Sequence, residues 1–166
     1  MSAFSIVLAV SSFVITLTGD ILLDRGVRQV VEQKGVDQLF SAGIDSVFQT
    51  SDAVVGNLEC PATKIHAPVF KQYIFRAEPE WLNDLKRHGV TYLNLANNHS
   101  IDQGRKGLVD TKENIVKAGM TPIGAGQNQS EAAEPVLITD HPRRCGSSPR
   151  CSWHLKTLPV CQINPV

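Results

Sequence analysis

Three short apolar runs, each ending in polar residues, constrain the fold of this chain more than any other feature of its sequence. They cover residues 13–18, 53–58 and 91–96. Each run has the length and the β-branched, apolar composition of a buried strand. The segments between them carry apolar residues at spacings of three and four, which is typical of amphipathic helices. Alternating strands and helices predict an α/β fold with a mostly parallel sheet.

The first two helical segments lie between these runs. Residues 27–47 have the helical pattern, and Gly35 and Gly43 are expected to divide it into pieces. Residues 79–88 predict a second helix that Gly89 ends. Three apolar residues of this second helix are expected to face inward: Trp81, Leu82 and Leu85.

A third helix and two further strands follow. The helix is predicted over residues 104–118, with Gly119 as its stop and with a favourable pair from Glu113 to Lys117. Three of its residues are expected to share one apolar side: Leu108, Ile115 and Val116. Strands are predicted at 120–123 and 135–139, and the Gly-Ala-Gly between them is more typical of a turn than of a phosphate-binding loop.

The length and charge of the chain restrict its class. A chain of 166 residues fits one domain, and its 16 basic and 16 acidic residues cancel. No basic face is evident in the first 139 residues, so nucleic acid is not an expected partner. Residues 1–12 are an apolar leader or the start of the first strand; they lack the positive charge of an export signal. Cleavable export and a membrane-proximal leader remain alternatives.

Candidate functional residues follow the three predicted strands. They are two carboxylates, adjacent amides and an imidazole: Asp20, Glu59, Asn97, Asn98 and His99. Ligands of parallel sheets bind at the carboxyl ends of the strands, where these side chains would meet. Carboxylate, amide and imidazole groups are ligands of divalent cations. A cation there would activate water and polarise a phosphoryl or acyl oxygen, and His99 would protonate the leaving group. The set predicts metal-assisted hydrolysis.

These residues also have ordinary structural interpretations: turn formers for Asp20, Asn97 and Asn98, a solvated acid for Glu59, and a hydrogen-bonding group for His99. Asp102 is expected to cap the N-terminus of the following helix. The joint occurrence at three successive strand exits favours the functional interpretation, because independent turns do not require it.

Several motifs between residues 14 and 139 occur in a fixed order. They are Thr18-Gly19-Asp20, Val55-Gly56-Asn57-Leu58-Glu59 with Pro61, Leu95-Ala96-Asn97-Asn98-His99-Ser100-Ile101-Asp102-Gln103-Gly104, Gly107-Leu108 with Asp110-Thr111, and Gly124-Ala125-Gly126 with Glu131-Ala132 and Pro135. Together they resemble the CapA family of bacterial poly-γ-glutamate capsule biosynthesis proteins. The domain of that family is related to calcineurin-like metallophosphoesterases.

The resemblance implies the first half of a four-layered α/β sandwich of metallophosphoesterase type, with a mostly parallel sheet. It also implies a site similar to a two-metal centre that binds Mn, Zn or Fe. The implied metal ligands are Asp20, Glu59 and Asn98, and the implied catalytic proton donor is His99. The residues implied to contact substrate or to orient the ligands are Arg25, Asn57, Asn97 and Asp102. An ordinary surface arginine is the alternative for Arg25.

The function that the resemblance implies is capsule biosynthesis with a hydrolase-type site. Its partners would be an anionic polymer or a phosphoester substrate, with other capsule-synthesis proteins at the membrane. The family favours the cell envelope, and a cytoplasmic location is the alternative. Two other functions are open. One is a non-catalytic component for polymer binding or export assembly, and the other is an inactive fragment with an uncovered sheet edge.

The end of the chain departs from the family pattern. Family members are longer, and their second half supplies a Gly-His-x-Pro-His-like element that this sequence lacks. We therefore expect a domain truncated after about residue 139, with an incomplete metal site and a disordered or non-native tail at 140–166. The candidate ligands of a zinc site in the tail are Cys145, Cys151, His154 and Cys161, and their spacing disfavours such a site. A disulfide within the tail is the alternative. Cys60 is expected to be an ordinary loop thiol.

Overall fold

The computed structural model describes residues 13–139 and the backbone of residues 152–155. The leader at 1–12 and nearly all of the tail at 140–166 lie outside the described residues, so the predicted domain limits stay predictions. The interpretations of Cys145, Cys151 and Cys161 lie outside them too. Within 13–139 and 152–155, no helix has the length and apolar character needed to span a membrane.

A parallel four-stranded sheet forms the centre of the fold. Its strands, in spatial order, are β1 (Ile15–Ile21), β2 (Ala53–Leu58), β3 (Tyr92–Asn94) and β4 (Thr121–Ile123). A helical crossover returns the chain to the same end of the sheet before each new strand, as parallel pairing requires. The predicted α/β class with a mostly parallel sheet is therefore confirmed. A separate antiparallel pair joins β5 (Val136–Thr139) to β6 (Ser152–Leu155).

Helices fill the connections between these strands. They are α1 (Arg25–Lys34), a 3₁₀ turn (Val36–Leu39), α2 (Ala42–Thr50), α3 (Trp81–Arg87), α4 (Gly104–Lys117) and α5 (Gln129–Ala132). Gly35 separates α1 from the 3₁₀ turn as predicted, but Gly43 lies inside α2 and breaks nothing. The start of α2 is set instead by Ser41, whose hydroxyl accepts the Ile44 N–H at 3.3 Å. Helix α5 was not predicted.

Strand β1 extends further than its sequence suggests. The predicted strand ends at Thr18, whereas the observed one continues to Ile21 and contains Asp20. Its pairing with β2 is irregular between Leu17 and Asp20, and it resumes with Asp20 opposite Asn57. The prediction that Asp20 follows the strand is wrong, because backbone pairing to β2 carries the extended conformation past Gly19.

The core lies on the sheet and is closed by helices α3 and α4. Leu93 of β3 and Leu82 of α3 are fully buried, and Leu85 is 1% exposed. The buried residues of α4 are four apart: Gly107, Thr111 and Ile115. Val116 is 59% exposed, so its predicted place on the apolar side is wrong. One step along a helix is a rotation of about 100°, which turns Val116 away from the side that buries Ile115. The predicted pair between Glu113 and Lys117 is present at 3.6 Å.

Cys60 is part of this core and is not an ordinary loop thiol. Its side chain is fully buried, and its sulfur accepts the Leu23 N–H at 3.4 Å. Burial raises the pKa of the Cys60 thiol to about 12, because the thiolate would be desolvated. The thiol is therefore a small apolar group of the core.

A long loop between β2 and α3 folds back on itself and is fixed to α1. Backbone bonds join the two ends of the loop, with Ala77 N–H donating to the Pro61 carbonyl at 2.7 Å. Glu78 then accepts hydrogen bonds from three basic side chains: Arg28, Lys64 and Arg76. Burial by itself would raise the pKa of Glu78, but these bonds outweigh it and lower that pKa from 4.5 to about 2.

The Glu78 cluster predicts a pH dependence of stability. A lowered carboxyl pKa stabilises the fold above the unfolded pKa, and this contribution is lost as the pH falls towards the folded pKa. The stability difference between wild type and Glu78→Gln should therefore shrink as the pH falls from 4.5 to about 2. Urea unfolding at several pH values measures it. Glu113→Gln, on the exposed side of α4, serves as the matched control. A constant difference for Glu78→Gln over this pH range would contradict the prediction.

The core also predicts a contrast between two truncations. Leu85→Ala removes a side chain that is 1% exposed and should lower the free energy of unfolding by about 3 kcal/mol. Val116→Ala, at 59% exposure, should cost less than about 0.5 kcal/mol. Urea unfolding of both variants checks this. Equal losses would show that α3 does not cover the core as described.

Candidate functional site

The side chain of Asn57 joins two carboxylates at the carboxyl end of the sheet. Asn57 lies near the end of β2, opposite Asp20 of β1 and Asn94 of β3. Its amide nitrogen donates to Asp20 Oδ1 at 2.8 Å and to Glu59 Oε2 at 2.6 Å. One amide therefore holds two acids, one within β1 and one directly after β2. The bond to Glu59 is present, while the role that the resemblance implies for Asn57 stays a prediction.

The oxygen of Asn57 is held equally firmly. It accepts from Asn94 Nδ2 at 2.8 Å and from Asn97 Nδ2 at 3.0 Å, and Asn97 Nδ2 also donates to the Leu58 carbonyl. An amide has two N–H donors and two acceptor lone pairs, and Asn57 uses all four. Its orientation is thus fixed by partners on three neighbouring segments, which determines where the two carboxylates lie.

A glycine after β4 makes room for this amide network. Gly124 has φ +77°, and a Cβ atom on it would lie 2.7 Å from Ala96 Cβ and 3.1 Å from Asn94 Oδ1. The first distance is shorter than real carbon contacts, and the backbone conformation disfavours other residues. Gly124 therefore allows the chain leaving β4 to approach Asn94 and Ala96 closely.

His99 is fixed beside the two acids. Its backbone N–H donates to Asn97 Oδ1 at 2.9 Å, and its Nδ1 lies 2.7 Å from Asp102 Oδ2. The ring packs on Phe75 with centroids 4.2 Å apart. Lys71 Nζ lies 3.2 Å from the same Nδ1 atom, so Nδ1 contacts both a carboxylate and an ammonium group. The other ring nitrogen, Nε2, faces Glu59 Oε1 at 4.0 Å.

Asp102 is a buried anchor and not the predicted helix cap. Gln103 occupies the cap position of α4, without a side-chain bond to the helix. The Asp102 side chain is fully buried and accepts the Phe75 N–H at 2.8 Å and Lys71 Nζ at 2.9 Å. The prediction fails because the loop after β2 supplies better donors than the helix does. Asp102 holds both His99 and this loop.

Sequence reasoning missed Lys71 and Phe75. Lys71 Nζ donates to Asp102 Oδ1 and to the Asn98 carbonyl, and Phe75 provides both an N–H for Asp102 and a ring for His99. Both residues lie in a loop without strand or helix periodicity. Residues 70–76 contain three aromatic and two basic side chains, and this composition was the signal available for them.

The predicted site residues are brought together in part. Asp20, Glu59 and His99 converge around Asn57, and the Glu59 side chain is 16% exposed, which rules out a solvated acid. The Asn98 side chain is exposed and makes no hydrogen bond within residues 13–139. Its backbone carbonyl accepts from Lys71 instead. Arg25 lies over the rings of Tyr73 and Phe75.

The donor set fits a divalent cation in kind but not in number. Carboxylate and imidazole groups suit Mn, Zn or Fe. In the part of the chain that the structure describes, however, no group of three or more His, Cys, Asp or Glu side chains is arranged to hold a metal ion. A complete metal centre would need further ligands. The metal roles of Asp20, Glu59 and Asn98 stay predictions.

A separate groove of about 370 Å³ lies between α4 and the segment after β4. It is lined by residues such as Leu108, Val116 and Ala125, and it shares no residue with the carboxylate and imidazole cluster. At its rim the Glu131 carboxylate accepts the Gln127 N–H at 2.9 Å. Because a carboxylate already accepts this loop N–H, the segment after Gly124-Ala125-Gly126 is a turn, as predicted, and not a phosphate-binding loop.

These features define an α/β protein with a carboxylate and imidazole cluster at the carboxyl end of a parallel sheet. Residues 14–150 match the family model described as bacterial capsule synthesis protein PGA_cap. The chain belongs to this family, and the predicted family membership is confirmed.

Curated relatives agree with this assignment. The chain is 36% identical to the PGA biosynthesis protein CapA of Bacillus subtilis over 123 residues, which are 73% of this chain and 32% of the relative. It is 36% identical to the capsule biosynthesis protein CapA of Bacillus anthracis over 117 residues, 68% of this chain and 28% of that protein. A probable polyglutamine synthesis accessory protein of Mycobacterium tuberculosis is 26% identical over 164 residues, 78% and 43% of the two chains. The chain thus spans about a third of the length of the first two relatives.

The position of Asp102 predicts a stability effect. Asp102→Asn keeps the shape of the side chain but replaces an acceptor with an amide that faces donors. It should lower the free energy of unfolding by about 2 kcal/mol, because the bonds lost are buried and charged. Urea unfolding measures the loss. Asp84→Asn is the matched control, since it pairs with Arg87 on the surface and should cost less than about 0.5 kcal/mol. Similar losses in the two variants would contradict the anchoring role.

Proposed function

We propose that this chain serves the biosynthesis of poly-γ-glutamate capsule and that its reaction site is the cluster of Asp20, Glu59 and His99. The family match and the names of the relatives support the capsule assignment. The substrate in this proposal is an anionic polymer or a phosphoester. Other capsule-synthesis proteins at the membrane, and a place in the cell envelope, belong to the same proposal.

One observation carries the assignment of the site. Asn57 holds the Asp20 and Glu59 carboxylates on one amide nitrogen, and His99 Nε2 lies 4.0 Å from Glu59. Placing two acids side by side costs electrostatic free energy that a structural role does not require. An arrangement that concentrates negative charge next to a fixed imidazole is typical of a site that binds a cation and transfers a proton.

In this proposal, different residues of the chain have different roles in the reaction. Asp20 and Glu59 would contribute to holding a divalent cation, which when bound lowers the pKa of water and polarises a phosphoryl or acyl oxygen. His99 would hold a proton at Nε2 and pass it to the oxygen of the leaving group. Asp102 and Phe75 fix the imidazole, so Nε2 keeps its direction towards Glu59. Asn57 keeps both carboxylates in place.

A second function is polymer binding without turnover. It is favoured by the finding that the described ranges hold no group of three His, Cys, Asp or Glu side chains suited to a metal. In that case Arg25, the basic neighbour of the cluster that lies over the rings of Tyr73 and Phe75, would hold the polymer for assembly or export. Retention of polymer binding after loss of the acids separates this function from catalysis.

Two substitutions test the catalytic proposal. With the purified 166-residue chain, Mn²⁺ binding is measured by calorimetry and the hydrolysis of a generic aryl phosphate by absorbance. We expect Glu59→Gln to weaken Mn²⁺ binding, because it removes one carboxylate. We expect His99→Asn to lower kcat by about 100-fold or more with Mn²⁺ binding retained, because a proton donor is lost.

Glu113→Gln is the matched control, since its exposed side chain lies on α4 away from the cluster. Turnover that is equal in His99→Asn and this control would overturn the catalytic role of His99. Absence of turnover in wild type, together with poly-γ-glutamate binding that survives Glu59→Gln, would favour the binding function.

A further inference from the structure

Most basic side chains near the cluster already have an acidic partner. Arg28 pairs with Asp24, Glu32 and Glu78 at 3.1–3.2 Å. Arg76 pairs with Glu78 at 2.8 Å, and Lys71 with Asp102 at 2.9 Å. The charges of these residues are neutralised within the fold. They have little free capacity for an external anion.

Arg25 differs from them. Its guanidinium carbon lies 4.9 Å from the centre of the Tyr73 ring and 5.1 Å from that of Phe75. Within residues 13–139, no carboxylate oxygen pairs with this guanidinium; only the backbone N–H of Arg25 bonds to Asp24. The side chain is therefore held by aromatic faces while its charge remains available. Rings that contact the face of a guanidinium leave its N–H edge open for an oxyanion.

The backbone at Arg25 is strained. Its φ is +54°, and no other described residue except glycine has a positive φ. This conformation is costly for a residue with a Cβ atom. Strain of this kind is retained where a side chain must occupy a particular place, most often at functional sites. A simple surface arginine would not require it.

Phe75 connects Arg25 to the cluster. The same ring lies against the Arg25 guanidinium and against the His99 imidazole, whose ring centre is 4.2 Å away. The cluster itself contains the acids Asp20 and Glu59, so a substrate carrying negative charge is repelled unless a cation receives it. Arg25 is a basic group that is both beside the cluster and without an acidic partner among the described residues.

We propose that Arg25 is the residue that binds an oxyanion of the substrate at the edge of the cluster, through paired N–H bonds to a carboxylate or phosphate group. This inference rests on the proposed function, because it names how an anionic substrate is recognised at that same site. Tyr73 and Phe75 fix the guanidinium, and Lys71 is reserved for Asp102.

Binding measurements with two anionic probes test it. The probes are fluorescein-labelled oligo-γ-glutamate, followed by anisotropy, and phenyl phosphate as its competitor; oligo-γ-glutamine is the neutral comparison. The protein is the full 166-residue chain. Arg25→Gln should weaken binding about tenfold or more, the order expected for a charged hydrogen-bonded contact. Arg25→Lys should recover part of the loss, because it keeps the charge but not the planar pair of donors.

Arg105→Gln is the matched control, because it removes the same charge from an exposed position on α4. Arg25→Gly tests folding, because glycine accepts the positive φ. It should unfold at a temperature no lower than wild type and still lose binding. A loss confined to oligo-γ-glutamate identifies the carboxylate as the anion, and a loss confined to phenyl phosphate identifies the phosphate.

The outcomes separate this inference from the proposed function. Wild-type binding that Arg25→Gln weakens no more than Arg105→Gln would overturn the role of Arg25 and leave the proposed function standing. Equal binding of oligo-γ-glutamine and oligo-γ-glutamate, with no effect of phenyl phosphate, would also overturn it. Failure of wild type to bind either anion would overturn the inference and the proposed function together.

Discussion

The site depends on one amide, that of Asn57, which keeps two carboxylates together. Asp20 and Glu59 would repel each other if nothing lay between them. The two N–H groups of Asn57 bond to both, while Asn94 and Asn97 hold its oxygen. The amide carries no charge, so it bridges the acids without neutralising them. Negative charge thereby remains at the carboxyl end of the sheet, next to His99, where it would attract a cation or a proton.

Parts of this arrangement follow from the sequence because they depend on local patterns. Strand β2 has the predicted bounds, since a central parallel strand is buried on both faces and reads as a continuous apolar run. The end of β1 was not predictable in the same way. It depends on pairing with β2 across an irregular register, and the residues around Gly19 show no strand pattern from which this pairing could be predicted.

The remaining differences arise from contacts that are distant in sequence. A capping role for Asp102 was reasonable from its position before α4. Burial and three donors override that role: Lys71 and Phe75 from the distant loop after β2, and His99 from three residues earlier in the chain. That loop has no strand or helix periodicity, and its path is fixed by backbone bonds near Ala77 and by the Glu78 cluster. Glu59 and His99 could be predicted at strand exits, and Asn57 could be named from the family pattern, whereas Lys71 and Phe75 could not be predicted.

The close approach at Gly124 has a consequence for how such a sequence changes over time. This residue carries no functional group, yet any side chain on it would press on Ala96 and on the amide that orients Asn57. A replacement at Gly124 would therefore shift the framework that positions the acids, and divergent homologues that keep this framework should keep glycine here.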